Sequence, residues 1–183
     1  NDRKLKLKFL RATLFNPTKA ASRMAEYFQR KLEFFGREKL VKDICFEDLG
    51  EDGMKAISQG MMQQVLPTRD SQGRVVICGC TRILMSQFEK FEDPVEVLAK
   101  ALWYLITSVA EDEETQRKGF VFVSYGDESS NQAPDPTRLA LMKRCGILSR
   151  STPIRTTAVH LCLSSSPTAR LWKATIWATE AFV

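Results

Sequence analysis

Three apolar runs, each followed by a helix start, constrain this chain's fold more than any other feature. The runs are Arg74-Val-Val-Ile-Cys-Gly, Gly119-Phe-Val-Phe-Val-Ser-Tyr125 and Thr157-Ala-Val-His-Leu-Cys-Leu163. The starts are Asp93-Pro94-Val95-Glu96, Asp135-Pro136 and Ser166-Pro167, each a capping side chain ahead of Pro at the first helical position. Strand–helix–strand–helix–strand–helix order predicts crossover units and a parallel or mixed sheet. The second run lacks alternation, which predicts a strand buried on both faces.

The first 66 residues read differently. Asn16-Pro17 opens a helix whose apolar positions Ala21, Met24, Ala25, Phe28, Leu32 and Phe35 are spaced by three or four, and Gly36 stops it. Residues 5–14 are basic and fit both a strand and a helix period, with a helix the expectation, and 52–63 predict a short helix carrying Met54, Ile57 and Met61. Pro67 and the polar turn at 68–73 mark a boundary between a helical lead-in, 1–66, and an α/β body, 67–183.

In that body the helix from Pro94 presents Val95, Leu98, Leu102, Leu105, Ile106 and Val109, and the next carries Leu139, Leu141 and Met142. The acidic run 111–114 near the first helix's end is expected as a solvated outer face, because the macrodipole disfavours anions there. No strand follows the last helix, so a domain incomplete at its C-terminal end is expected.

Composition excludes collagen-like, coiled-coil and disordered classes, with 44% hydrophobic and 27% charged residues in 183. No apolar stretch approaches the ~20 residues of a membrane span, so a soluble protein is expected. Its charge is uneven: residues 1–40 hold 11 Lys/Arg against 4 Asp/Glu, and 138–179 hold seven basic residues and no acid. Two basic zones suggest a face that meets an anionic surface. The five cysteines, Cys45, Cys78, Cys80, Cys145 and Cys162, form no C-x-x-C pair and are expected as buried thiols in a reducing, cytoplasmic setting.

Catalytic chemistry finds little material. The chain has no G-x-G-x-x-G, no G-x-x-x-x-G-K-[ST] and no G-x-S-x-G. His160 is the single histidine; a Ser124/His160/Asp127 hydrolase would need it at a strand end, whereas it lies mid-strand. A histidine bonded to backbone beneath a helix is the expectation. Ligand spacing for zinc is missing, and residues 47–53 lack the alternating ligands of a calcium loop, so neither metal nor cofactor is expected. Nucleic-acid binding is disfavoured by the few aromatics among the N-terminal basic residues.

The last helix is the informative element. Leu171, Trp172, Ile176, Trp177 and Phe182 make it apolar over more than half its circumference, with Arg170 and Lys173 near its start. That pattern suits a lid, one side over an apolar cavity and the other at a membrane interface where Trp is accommodated. Phe120, Phe122, Ala158, Cys162, Leu102 and Ile106 are the expected lining, with Ile77, Ser124 and His160 beside them and Leu171, Thr175 and Ala178 from the lid. Burial is worth roughly 0.8 kcal/mol per methylene, so a modest cavity holds a lipid without polar chemistry.

Several segments carry a resemblance. Phe9-Leu10-Arg11-Ala12 with Phe15-Asn16-Pro17-Thr18-Lys19-Ala20-Ala21 resembles the F-L-R-A…F…K-A-A opening of CRAL-TRIO proteins. Gly73-Arg74-Val75-Val76 resembles that family's G-R-P-V strand entry, and Lys118-Gly119-Phe120-Val121-Phe122-Val123 its central strand. Pro153-Ile154-Arg155-Thr156-Thr157-Ala158-Val159-His160 is similar to its Y-P-x-R-x-x-A-I-H block. The resemblance implies a helical lead-in, a mixed, mostly parallel sheet flanked by helices, and a lipid pocket closed by a mobile gate helix at 165–183. Ser124 stands where the family has Asp, and Thr152 replaces its Tyr. Ile154 replaces the Glu of phosphatidylinositol-transferring members, which tilts the implied ligand toward a more lipophilic molecule.

The expected function is therefore non-enzymatic. One phospholipid, tocopherol-like or retinoid-like molecule would be held and exchanged at membranes by a monomer, cytoplasmic and peripheral to anionic bilayers. Lys4, Lys6, Lys8, Arg170, Lys173, Trp172 and Trp177 are the expected membrane-facing residues. The alternative is a regulatory module that binds membrane or partner without a usable pocket.

Overall fold

A computed structural model of the chain describes residues 2–60, 63–80, 90–125 and 136–162. Helix α1 (Asp2–Ala12) and α2 (Pro17–Phe35) precede α3 (Gly50–Ser58). The sheet then forms from β1 (Gln64–Val65), β2 (Val75–Cys80), β3 (Phe120–Tyr125) and β4 (Thr156–Cys162). Helices α4 (Pro94–Val109) and α5 (Glu113–Lys118) connect β2 to β3, and α6 (Pro136–Ser151) connects β3 to β4. The order is β1-β2-β3-β4, antiparallel at β1–β2 and parallel thereafter, so the α/β mixed sheet is as the alternating pattern predicts.

Local chemistry sets the element ends. Asn16 accepts from the Lys19 amide at 3.0 Å and Asp93 from the Glu96 amide at 3.0 Å, so α2 and α4 are capped as expected. Both parallel crossovers step the same way along the sheet, and right-handed connections put their helices over one face; α4 and α6 are in contact there.

One core joins the lead-in to the sheet. Phe9, Tyr27, Phe34 and Ala56 belong to the same buried cluster as Leu98, Leu102, Trp103, Ile106, Val75, Ile77 and Phe120. Tyr27 stacks on Trp103 with ring centroids 5.3 Å apart and meets Phe9 edge-on at 5.4 Å. Burial first, then Glu111 and Asp43, raise the Tyr27 phenol's pKa. Arg23 ties α2 to the end of α6: its Nε donates to the Thr152 carbonyl at 2.7 Å, and Nη2 to those of Ser149 and Ile154 at 2.6 Å each. Burial lowers this guanidinium's pKa to about 10, which leaves it charged at neutral pH.

Several local expectations are corrected. The fully buried residues of α2 are Ala20, Tyr27, Lys31 and Phe34; of the expected positions Met24, Phe28 and Phe35 are half-buried against the core, while Ala21, Ala25 and Leu32 are exposed. The stripe turns because Tyr27 and Lys31 bury their lengths, Tyr27 with its ring on Trp103 and Lys31 with Nζ donating to the Lys42 carbonyl at 2.5 Å. α3 ends at Ser58, short of position 63. β1 is an unpredicted strand, and the turn at 68–73 is the hairpin loop joining it to β2, with Leu66 N on Val76 O at 2.9 Å. Only Phe120 and Val121 of β3 are fully buried, and Leu139 of α6 is exposed.

The acidic run 111–114 is exposed, as expected, and each of its carboxylates is also ion-paired. Lys8 bonds Glu111 at 2.5 Å, Arg69 bonds Asp112 at 2.9 Å, Arg11 bonds Glu113 at 2.8 Å, and Lys118 bonds Glu114 at 2.7 Å. Asp112 also caps α5 through the Thr115 amide at 2.7 Å, so these acids sit at a helix start as well as past a helix end. The cysteines are free but not uniformly buried: Cys45 and Cys162 are exposed, and Cys78, Cys80 and Cys145 are intermediate.

Candidate functional site

The sheet has two chemically different faces, and register decides which residue belongs to which. Paired residues on parallel neighbours project to the same side, and alternate residues of a strand to opposite sides. Val75 pairs with Phe120 and Ile77 with Phe122, which puts Val75, Ile77, Phe120, Phe122 and Ser124 on the face that packs against α4. The second face carries Val76, Cys78 and Cys80 from β2, and Val121, Val123 and Tyr125 from β3.

A bulge fixes the contribution of β4. Phe120 lies opposite Thr156, but Val121 lies opposite Ala158, so one extra residue is inserted in β4 between those pairs. The bulge has local causes. Gly119, at φ +76, brings its Cα so near the neighbouring chain that a Cβ would stand 2.5 Å from the Arg155 carbonyl oxygen and 2.6 Å from Thr157 Cγ2. Phe120 N donates to Arg155 O at 3.0 Å, and Thr157 Oγ1 to Phe120 O at 2.9 Å. Beyond it the register places Ala158, His160 and Cys162 level with Val121, Val123 and Tyr125 on the second face.

The result is a platform three strands wide, with rows Val76–Val121–Ala158, Cys78–Val123–His160 and Cys80–Tyr125–Cys162. At the usual strand spacing and rise it measures about 10 Å by about 13 Å. It holds no Asp, Glu, Lys or Arg. Val121 is buried and Val76, Cys78, Val123 and Ala158 are half-buried, yet none of these five is part of the core around α4. Exposure grows toward the carboxyl ends of the strands, where Tyr125, His160 and Cys162 are exposed.

The residues expected to line one cavity fall into three groups. Ile77, Leu102, Ile106 and Phe120 are buried in the helix-covered core, and Phe122 and Ser124 lie half-buried on that same face. Ala158, His160 and Cys162 lie on the second face, separated from the first group by the thickness of the sheet. Leu171, Thr175 and Ala178 lie outside the described residues, as do Arg170, Trp172, Lys173 and Trp177. Val76, Cys78, Val121 and Val123 join the second face although the apolar pattern alone did not mark them.

Other expected groupings are also divided. Ser124 pairs with Leu161 and Val123 with His160, so Ser124 and His160 project from opposite faces and cannot share a proton; Asp127 lies outside the described residues. His160 is exposed and is not roofed by a helix on the core side. At the N-terminus Lys4 and Lys6 are exposed, but Lys8 is held against Glu111 and is no outward cation. No helix among the described residues is long and apolar enough to cross a membrane. Comparison of the chain with protein-family models finds no match.

Proposed function

We propose that the chain is a CRAL-TRIO-like carrier that binds one small lipophilic molecule against the second face of its sheet and exchanges it at membranes. The observation that carries this reading is the platform itself: nine side chains, none of them Asp, Glu, Lys or Arg, on three parallel strands, with Val121 buried, Val76, Cys78, Val123 and Ala158 half-buried, and all five outside the helix-covered core. A surface of Val, Ala and Cys, with Tyr125 and His160 toward the carboxyl ends of the strands, offers a hydrocarbon dispersion contacts and desolvation but no carboxylate, ammonium or guanidinium anchor. Its dimensions match a folded acyl chain or a prenyl-type tail. The segment 165–183, expected from its two Trp and apolar residues as a lid, lies outside the described residues.

Organic extraction of purified full-length protein, followed by mass spectrometry, tests the reading. A lipid in stoichiometric amount is the expected result, and the protein takes up a fluorescent lipid of the same class. Ala158→Trp, which projects a large ring from the β4 corner of the platform beside Val121, reduces that uptake at least about tenfold, or about 1.4 kcal/mol. A lipid-free protein that takes up no probe, yet still binds vesicles, supports the alternative of a membrane-bound regulatory module.

A further inference from the structure

We infer that the turn between α1 and α2, together with the cleft behind it, is a docking surface for an anionic phospholipid bilayer. Leu14 and Phe15 make that turn with consecutive φ values of +52 and +61. The two residues are 72% and 64% exposed, the two largest values among the described exposed bulky apolar residues apart from Val41. The conformation is firmly held. Phe15 N donates to Leu10 O at 2.7 Å, Leu14 N to Arg11 O at 3.2 Å, Asn16 N to Thr13 O at 3.1 Å, and Thr13 Oγ1 to Phe9 O at 2.9 Å.

A left-handed site after a helix is usually Gly or Asn, because a Cβ is strained there. This turn instead places two large apolar residues in that conformation and buries neither. Backbone strain and exposed hydrocarbon both count against the isolated fold, so the gain from these side chains lies in what they contact outside it.

The cleft supplies the other half of the argument. It has a volume of about 390 Å³ and is lined by Thr13, Lys19, Ser22, Arg23, Glu26 and Arg150 among others, three cations against one carboxylate. The Arg23 guanidinium is fixed by its three carbonyl bonds, and Ser22 and Thr13 also line the cleft. Apolar side chains projecting beside a cationic recess match a bilayer edge, where hydrocarbon anchors enter below the phosphates and cations stay at their level. Two side chains are too small an apolar contact for a stable protein interface, which buries about 800 Å² per partner. They suffice as anchors when joined to electrostatic attraction. This surface is independent of any cargo on the sheet.

Flotation of the full-length protein with vesicles of phosphatidylcholine, with and without phosphatidylserine, tests the inference. The parent is expected to float with the phosphatidylserine vesicles. Leu14→Asn combined with Phe15→Asn removes the hydrocarbon while keeping residues that tolerate left-handed backbone. It should weaken binding at least about tenfold, or about 1.4 kcal/mol, with an unfolding midpoint no lower than the parent's. Lys19→Gln with Arg150→Gln should abolish the preference for phosphatidylserine, and this pair decides the matter if the Asn variant fails to fold. A parent that binds neither vesicle, or both equally, overturns the inference. So does a folded Asn variant that binds like the parent, or one that loses self-association instead of vesicle binding. Uptake of detergent-dispersed fluorescent lipid by the same variants stays at the parent level, which separates failure of docking from failure of cargo binding.

Discussion

At the scale of single residues, buried polar groups hold the helices together through bonds of long sequence separation. Removing the Arg23 guanidinium leaves the carbonyls of Ser149, Thr152 and Ile154 without this donor at the end of α6. An orphaned buried acceptor costs about 1–3 kcal/mol. Arg23→Ala should therefore lower unfolding free energy by about 3 kcal/mol or more, measured by urea titration, and Arg23→Lys should recover only part because an ammonium cannot fork between carbonyls.

Asp48 gives a pH-dependent counterpart at the same scale. Its carboxylate accepts from Lys39 at 2.5 Å, from the Cys45 amide at 3.0 Å and from Cys45 Sγ at 3.2 Å. The Lys39 bond first, then those from Cys45, lower its pKa to about 2. A depressed folded value stabilises the protein above the ordinary carboxylate range, and that contribution is lost as pH falls from about 4 through about 2. Thermal melts across this window should show a shallower acid decline for Asp48→Asn than for the parent; parallel declines would contradict the assignment.

At the scale of elements, the sequence announces caps well and faces poorly. Asn16 and Asp93 act on amides three residues away, so local spelling suffices. The face of α2 is decided by Trp103 and Lys42, which receive Tyr27 and Lys31, and no reading of α2 alone reveals them. The acidic run is solvated as expected, but its ion pairs are invisible locally for the same reason: Lys8 and Arg11 reach it from about a hundred positions away. β1 has two residues and too little pattern to be seen.

The bulge in β4 is the costliest of these hidden features. With regular pairing from Phe120–Thr156, Ala158 would stand beside Phe122; the inserted residue sends it to the other side. Gly119 sustains the insertion, so Gly119→Ala meets both the strain of φ +76 and the Arg155 carbonyl. A loss of about 2–4 kcal/mol in urea unfolding is expected, and a loss under about 0.5 kcal/mol, typical of an unconstrained surface site, would contradict the close approach.

At the scale of the whole molecule, the helices and the sheet divide the labour. α4 and α6 with the lead-in occupy one face of the sheet and form the core, which includes Leu102 and Ile106 from the expected cavity lining. The other face is left with a continuous uncharged platform on β2, β3 and β4. Fold class was therefore readable from the strand–helix alternation, because that pattern is set along the chain. The site was readable only in part, because membership of a face depends on register between strands about 35 residues apart.

The central claim is that a hydrocarbon guest lies on this second face. Photocrosslinking places it most directly: full-length protein loaded with a diazirine-bearing fatty acyl lipid is irradiated, digested and mapped by mass spectrometry. Adducts on Val121, Val123, Ala158 or His160 are expected, with none on Leu102, Ile106 or Phe120. Adducts confined to the helix-covered face, or spread without preference over the surface, would contradict the account.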